Sequence, residues 1–166
     1  IYRILDANLD RAREGIRIVE EWCRFALDNP TLAQECKEMR QTLASWHTAE
    51  IRNARNTPDD CGTVLTHPRE ETRDNPQQVL QVNLSRIQEA LRVLEEYGKL
   101  YHLEMGSACK QLRYQIYTLE SNLFSTSPQA KLETARVYLI TSPAKDICSI
   151  VEDSLRGGLS LVQYRN

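Results

Sequence analysis

The sequence predicts a mainly α chain, in which a duplicated αα-hairpin forms a four-helix bundle and a strand–helix–strand (βαβ) unit follows. Three observations predict this fold. Apolar residues recur at three- and four-residue steps, a polar motif returns after 75 residues, and strand-like apolar runs appear near the C-terminal end. We predict a duplicated helical domain over residues 1–124 (repeats about 3–51 and 78–124), a linker over 125–135 and a βαβ unit over 136–166.

Composition excludes several classes of function. The 166 residues are 27% charged with a net charge of −2, which argues against a non-specific nucleic-acid binder. No apolar run is long enough for a membrane span, and no secretory signal is present, so we expect a cytoplasmic protein. The five cysteines lack metal-ligand spacing, and we expect most of them to be reduced and buried.

The first hairpin follows from apolar spacing and its interruption. We predict that Asp6 caps the first helix, that Asn29-Pro30 ends it and that Thr31 opens the second helix. The apolar faces are Leu5, Leu9, Ala12, Ile16, Val19, Cys23 and Ala26 in the first helix, and Leu32, Cys36, Met39 and Leu43 in the second.

An internal repeat predicts the second hairpin. The motif N-L-x-R-x-x-E-x-x-R-x-x-E-E at Asn8–Glu21 returns at Asn83–Glu96, and seven of the fifteen positions from Ala7 to Glu21 are identical. The helices that follow share C-K-x-x-R at Cys36–Arg40 and Cys109–Arg113, with an offset of 73. A duplicated αα-hairpin makes a four-helix bundle the expected architecture.

Each first helix carries a mixed polar stripe beside its apolar face, and two interpretations stay open. The asparagine and arginine either bond carbonyls at the rim of the core, or line a pocket where arginine binds an anion and an aromatic ring stacks on a flat ligand. The stripes are Asn8, Arg11, Gly15, Ile18 and Trp22, and Asn83, Arg86, Ala90, Val93 and Tyr97.

Other polar residues are predicted to be structural. We expect the charged runs Glu20-Glu21-Arg24 and Arg92-Glu95-Glu96-Lys99 to form solvated pairs at helical spacing. The three histidines, His47, His67 and His102, have no motif spacing, so we expect surface or core positions for them.

A long loop from Arg52 to about Gln77 interrupts the helical pattern with three prolines and one glycine. Its mixed charges fit a phosphate with Mg²⁺, where arginines bind phosphate oxygens and carboxylates bind the ion. They fit a solvated polar loop equally well. No P-loop and no G-x-G-x-x-G motif occurs in the chain.

The C-terminal segment has the pattern of a βαβ unit. We predict a buried strand over 136–141, a helix over 145–156 capped by Gly157-Gly158, and a second strand over 159–165. Because two strands do not make a stable parallel sheet, we expect the chain to stop inside a second domain.

These last residues resemble the start of the thiamine phosphate synthase family, which folds as a TIM barrel. The resemblance is carried by Tyr138–Thr141, Gly157-Gly158 and Val162–Asn166. It implies a βαβ start of a truncated barrel. It also implies that Gln163 and Arg165, which match a Q-x-R-x-K pattern, bind the pyrimidine diphosphate with Mg²⁺.

Residues 3–124 resemble the helical domain fused ahead of the synthase in cyanobacterial-type proteins. The matching motifs are R-x-x-D-A-N-x-x-R-x-x-E-G at Arg3–Gly15, A-R-x-x-x-x-D-C-G-T at Ala54–Thr63 and N-x-x-R-x-x-E-A-L-R at Asn83–Arg92. Asn56 stands where the family has Asp. Members of this family have been proposed as hydroxymethylpyrimidine phosphate kinases.

The resemblances imply three alternatives. The full-length protein is a synthase that joins hydroxymethylpyrimidine diphosphate to thiazole phosphate. Alternatively, the helical domain is an ATP-dependent kinase, or it is a non-catalytic bundle that forms a homodimer or supports the barrel. For the kinase, the expected pocket residues are Asn8, Arg11, Asn83 and Arg86, with Arg55 near phosphate and Asp60 near Mg²⁺.

Overall fold

The computed structural model describes residues 1–63, 72–124, 137–143, 145–159 and 161–165. The predicted linker and His67 lie outside these ranges. The chain forms two compact units, Ile1–Leu123 and Phe124–Asn166. The elements are α1 Tyr2–Phe25, α2 Pro30–Trp46, α3 Ala49–Asn53, α4 Pro76–Gly98, α5 Leu103–Phe124, β1 Leu139–Ile140, α6 Ile147–Arg156 and β2 Val162–Gln163. The predicted mainly α class is confirmed.

The two long repeat-equivalent helices, α1 and α4, pack against each other at the centre of the first unit. They run antiparallel, because Tyr2 at the start of α1 contacts the ring of Tyr101, just after α4, edge-on at 5.5 Å. Helix α2 packs on α1, and Gly98 and Gly106 allow close approach between α4 and α5. This is the four-helix arrangement that the duplication predicts.

The apolar spacing of α1 correctly predicts its core face. Six of the seven expected residues are fully buried, whereas Ala26 is exposed because α1 ends at Phe25. Cys23, Cys36 and Cys109 are buried, while Cys61 and Cys148 are exposed.

The helix ends differ from the prediction. Because α1 begins at Tyr2, Asp6 lies in its second turn and is not a cap. Asn29-Pro30 begins α2 rather than ending α1, since the Asn29 Oδ1 accepts a hydrogen bond from the Leu32 amide at 3.1 Å. Asn75 caps α4 in the same way, at 2.8 Å from the Gln78 amide.

The prediction that both charged runs are solvated is wrong for Glu20 and Glu95, which are only 4% and 5% exposed. Glu20 pairs with Arg40 of α2 at 2.6 Å, and Glu95 pairs with Arg113 of α5 at 2.8 Å. Helical spacing identifies partners within one helix, but these arginines come from the neighbouring helix. The repeated glutamate and arginine therefore join the two helices of each hairpin.

The second unit contains the predicted βαβ elements. Strands β1 and β2 pair in parallel, with Leu139 opposite Val162 and Ile140 opposite Gln163. Both strands are shorter than predicted, and the backbone N–H of Gly157 caps α6 by donating to the Asp153 carbonyl. Within the described ranges, no helix is long and apolar enough to cross a bilayer.

Gly15 lies where the two central helices approach most closely. A Cβ atom there would stand 2.6 Å from Ile87 Cγ1. We expect Gly15→Ala to lower the free energy of unfolding by about 1–3 kcal/mol through overpacking, as measured by urea denaturation. In an Ile87→Ala background, which lacks the opposing atom, the same change should become neutral or stabilising, because alanine favours the helix. An equal loss in both backgrounds would contradict this explanation.

Candidate functional site

A groove of about 520 Å³ lies between α1 and α4. Its lining consists entirely of repeat-equivalent pairs, each separated by 75 positions. Both helices therefore contribute the same five positions to one groove, and all four asparagine and arginine residues of the predicted pocket lie along it. The pairs are Asn8 and Asn83, Arg11 and Arg86, Glu14 and Glu89, Gly15 and Ala90, and Ile18 and Val93.

The two asparagines are fixed by their own helices. The Asn8 side-chain nitrogen donates to the Ile4 carbonyl, and that of Asn83 donates to the Val79 carbonyl, both at 2.8 Å. They are buried and also line the groove. The asparagines therefore bond carbonyls, here those of their own helices, and their side chains also line the groove.

The two arginines place positive charge on both walls of the groove. Arg11 is exposed on α1, and Arg86 is exposed on α4. Within the described part of the chain, Arg11 forms no hydrogen bond or ion pair. Guanidinium groups on facing walls suit an anion with several oxygens, such as a phosphate.

A second hollow, of about 420 Å³, adjoins the groove and shares Arg11 and Glu14 with it. It brings Arg55 and Asp60 together beside α1. Its lining residues are Arg3, Asp6, Ala7, Asp10, Arg11, Glu14, Arg55, Asn56, Thr57 and Asp60.

A buried ion network holds this hollow in shape. The carboxylate of Asp6, only 3% exposed, accepts hydrogen bonds from Arg55 Nε and Nη2, both at 2.8 Å. Its Oδ1 also lies 2.7 Å from Nε2 of buried His47, and Arg55 bonds Asp10 as well. Of the two positions expected for the histidines, surface or core, His47 takes the core position. The Arg55 fork is thus already bound by carboxylates of α1.

Sequence reasoning missed Asp6 and Asp10 as site residues. The positions at which the two repeats differ could have identified them. At the equivalent positions of the second repeat, Asp6 is replaced by Gln81, Asp10 by Ser85 and His47 by Glu120. The ion network therefore occurs beside the first repeat only. The groove has equivalent residues from both repeats, but the residues next to it differ between them.

Two sets of residues near α1 have metal-binding chemistry. Ligand atoms of Asp6, Asp10 and His47 lie within 4.8 Å of one another, but the Arg55 guanidinium already neutralises both carboxylates. Glu14 and Asp60 offer carboxylate oxygens to the adjoining hollow. Oxygen donors are the ligands that Mg²⁺ prefers, so these two residues have the chemistry to bind that ion.

The structure places Gln163 and Arg165 in the second unit, at the end of β2. The Gln163 carbonyl accepts a hydrogen bond from the Thr141 amide at 3.0 Å. The Arg165 amide donates to Thr141 Oγ1 at 3.1 Å, and both side chains are exposed. Thr141 therefore fixes the backbone that presents these two side chains.

The buried carboxylates make stability depend on pH. The Arg55 hydrogen bonds hold the pKa of Asp6 below its ordinary 3.8, although burial opposes them and His47 assists. Burial raises the pKa of Glu95, but Arg113 and Arg92 outweigh it and keep the pKa below 4.5. Groups with a lowered pKa stabilise the fold above their unfolded pKa, and this stability is lost as pH falls through the folded pKa.

We therefore expect the free energy of unfolding to fall as pH drops below about 4.5, measured by urea denaturation across a pH series. The double variant Asp6→Asn with Glu95→Gln should be less stable at neutral pH and show a flatter dependence. An unchanged pH dependence in that variant would show that other groups carry the acid sensitivity.

Comparisons with known proteins indicate the same protein families as the sequence motifs do. The model of the ThiD2 family matches residues 3–122. The chain is 60% identical over 166 residues to the thiamine-phosphate synthase of Nostoc punctiforme, covering 100% of the chain and 47% of that protein. It is 57% identical to that of a Synechocystis species (100% and 48%) and 52% identical to that of Gloeobacter violaceus (99% and 48%).

The chain spans about half the length of the curated relatives that it matches. No solved structure gives a significant match.

Proposed function

Because the chain belongs to the ThiD2 family, we propose that its helical unit is a kinase that phosphorylates a pyrimidine monophosphate for thiamine biosynthesis. The substrate, hydroxymethylpyrimidine phosphate, lies in the groove between α1 and α4. Nucleoside triphosphate, ATP in the first instance, donates the phosphoryl group.

The observation that supports this proposal most strongly is the groove itself. An asparagine and an arginine from each repeat line one groove, although neither repeat alone would form it. A ring nitrogen and an exocyclic amine need donors and acceptors, which amide side chains supply, and the phosphate needs guanidinium groups. A volume of about 520 Å³ suits a small ligand.

The proposed reaction transfers one phosphoryl group. An oxygen of the pyrimidine monophosphate attacks the γ-phosphorus of ATP and forms a new P–O bond. The bond to the β–γ bridging oxygen breaks, and ADP leaves with its electron pair. Arg11 and Arg86 neutralise the charge that gathers on the transferred group, since this chemistry depends mainly on positioning and electrostatics.

Bound Mg²⁺ would neutralise phosphate oxygens, and Glu14 and Asp60 of the adjoining hollow are the residues that would hold it. The Asp60 Oδ1 accepts a hydrogen bond from the Gly62 amide at 2.9 Å, which fixes its orientation. Arg55, held by Asp6, keeps the segment around Asp60 against α1.

We also propose that the whole protein is a cytoplasmic thiamine-phosphate synthase. The relatives that match the entire chain are thiamine-phosphate synthases, which supports this proposal. Gln163 and Arg165 would then bind the diphosphate of the kinase product before its coupling to thiazole phosphate. Kinase and synthase would act in succession.

The kinase proposal is tested by incubating the 166-residue chain with ATP, Mg²⁺ and hydroxymethylpyrimidine phosphate. We expect ADP and the pyrimidine diphosphate to form in equal amounts. ADP without the diphosphate would indicate simple ATP hydrolysis, and no ADP above background would leave the bundle a scaffold; either result would overturn the proposal.

A further inference from the structure

A cleft of about 620 Å³ opens beside the groove, between the C-terminal half of α1 and the start of α4. Its surface is mostly apolar and includes two aromatic rings from α1. The lining residues are Ile18, Glu21, Trp22, Phe25, Ala26, Arg73, Asp74, Asn75, Pro76, Val79 and Leu80.

One of the two aromatic residues of this cleft is not explained by the core. Phe25 is 70% exposed, with the Arg24 guanidinium 4.8 Å from its ring centroid, whereas Trp22 is partly buried and packs against the core. The equivalent positions in the second repeat are Tyr97 and Leu100. An exposed phenylalanine beside a tryptophan therefore occurs in one repeat only, and such rings provide flat apolar surface for stacking.

The cleft is continuous with the groove, because Ile18 lines both. Along α1, Trp22 lies eleven residues beyond Arg11, which is about 16 Å of helix. A ligand with a flat apolar end in the cleft and an anionic tail would therefore extend towards the arginine pair. Charge and shape together match a nucleotide, whose base is flat and whose phosphates are anionic.

The rim of the cleft is held in place by hydrogen bonds at the start of α4. The Asp74 amide donates to Gln78 Oε1 at 2.7 Å, and the Asn75 Oδ1 accepts from the Gln78 amide at 2.8 Å. A fixed polar rim around an apolar interior is the usual form of a site for a heteroaromatic ring.

We propose that this cleft binds the purine base of the nucleoside triphosphate that donates the phosphoryl group. The inference rests on the proposed kinase function and adds the position of the nucleotide. The base stacks on Phe25 and Trp22, the triphosphate passes Ile18, and its γ-phosphate lies between Arg11 and Arg86.

Photolabelling locates the base directly. The 166-residue chain with Mg²⁺ is irradiated with 8-azido-ATP, digested with trypsin and analysed by mass spectrometry. We expect the label on the peptides Ile18–Arg24, Phe25–Lys37 or Asp74–Arg86, or on Arg73, which also lines the cleft, and we expect excess ATP to remove it. Labelling elsewhere, or labelling that ATP does not reduce, would overturn the inference.

This result separates the two proposals. If the chain transfers the phosphoryl group but is labelled outside the cleft, the cleft does not bind the base, and the kinase proposal still holds. If the cleft is labelled, ATP reduces that labelling and no phosphoryl transfer occurs, the nucleotide site is supported and the kinase proposal is wrong.

A matched pair of variants gives a second test. We expect Phe25→Ala to raise the Kd for a fluorescent ADP analogue about tenfold, since the variant removes a ring on which the base stacks. Its Kd for pyrimidine monophosphate should not change. Tyr114→Ala removes a ring that is 55% exposed on α5 and should change neither. If the chain forms a dimer without nucleotide and Phe25→Ala abolishes that dimer, a second copy of the chain covers the cleft. That outcome would contradict the inference.

Discussion

Arg11→Ala combined with Arg86→Ala is expected to lower kcat/KM for the pyrimidine monophosphate at least about 100-fold. In the proposed complex, each guanidinium would donate charge-assisted hydrogen bonds to phosphate oxygens, and such bonds contribute about 1.5–3 kcal/mol each. Each single variant should therefore lose roughly 10- to 150-fold. Because both residues act on the same phosphate, the two effects should not simply add.

Arg52→Ala is the matched control for this prediction. Arg52 is an exposed arginine of α3, and it lines neither the groove nor the adjoining hollow. The same loss of charge there should leave kcat/KM unchanged. Arg11→Lys should recover only part of the activity, since lysine lacks the planar fork. Full activity in the double variant, with an unchanged fold by circular dichroism, would show that the phosphate binds elsewhere.

Asp6→Asn should destabilise the helical unit by about 2–4 kcal/mol. The carboxylate accepts hydrogen bonds from two Arg55 nitrogens and lies 2.7 Å from Nε2 of His47. An asparagine keeps one acceptor but turns an N–H₂ towards a donor, which leaves buried polar groups unsatisfied at about 1–3 kcal/mol each. The segment that carries Arg55 and Asp60 should also separate from α1.

Urea denaturation and limited proteolysis measure these two effects. We expect a lower denaturation midpoint and faster cleavage after Arg52 or Arg55. The control is Gln81→Ala, at the exposed repeat-equivalent position of Asp6, and it should have little effect. Asp6→Asn with wild-type stability and proteolysis would show that the buried network contributes nothing to the fold or to the position of Asp60.

The four asparagine and arginine residues of the groove could be predicted from the sequence because of the duplication. Apolar spacing placed Leu9 and Ile16 in the core, which placed Asn8 and Arg11 on the adjacent stripe. Because α1 and α4 are equivalent and pack antiparallel, equal positions of the two repeats meet across one interface. Repetition of Asn and Arg thus predicted matching polar stripes on the two helices, and the packing of α1 against α4 places both stripes in one groove.

The ion network was beyond that reasoning. Asp6 lies 41 positions from His47 and 49 from Arg55, so no local pattern relates them. Asp6 near a helix start resembled a cap, because the apolar spacing that locates the face does not fix the first residue of the helix. The buried position of Glu20 was missed for a similar reason, since Arg40 belongs to the next helix.

The most direct test of the central claim is calorimetric titration of the 166-residue chain with hydroxymethylpyrimidine phosphate. Since both repeats form one groove, we expect one site per chain, with binding lost when Arg11 and Arg86 are both replaced by alanine. Two equivalent sites per chain would mean that each repeat binds separately. That result, or the absence of binding heat at several temperatures, would contradict a shared substrate groove between α1 and α4.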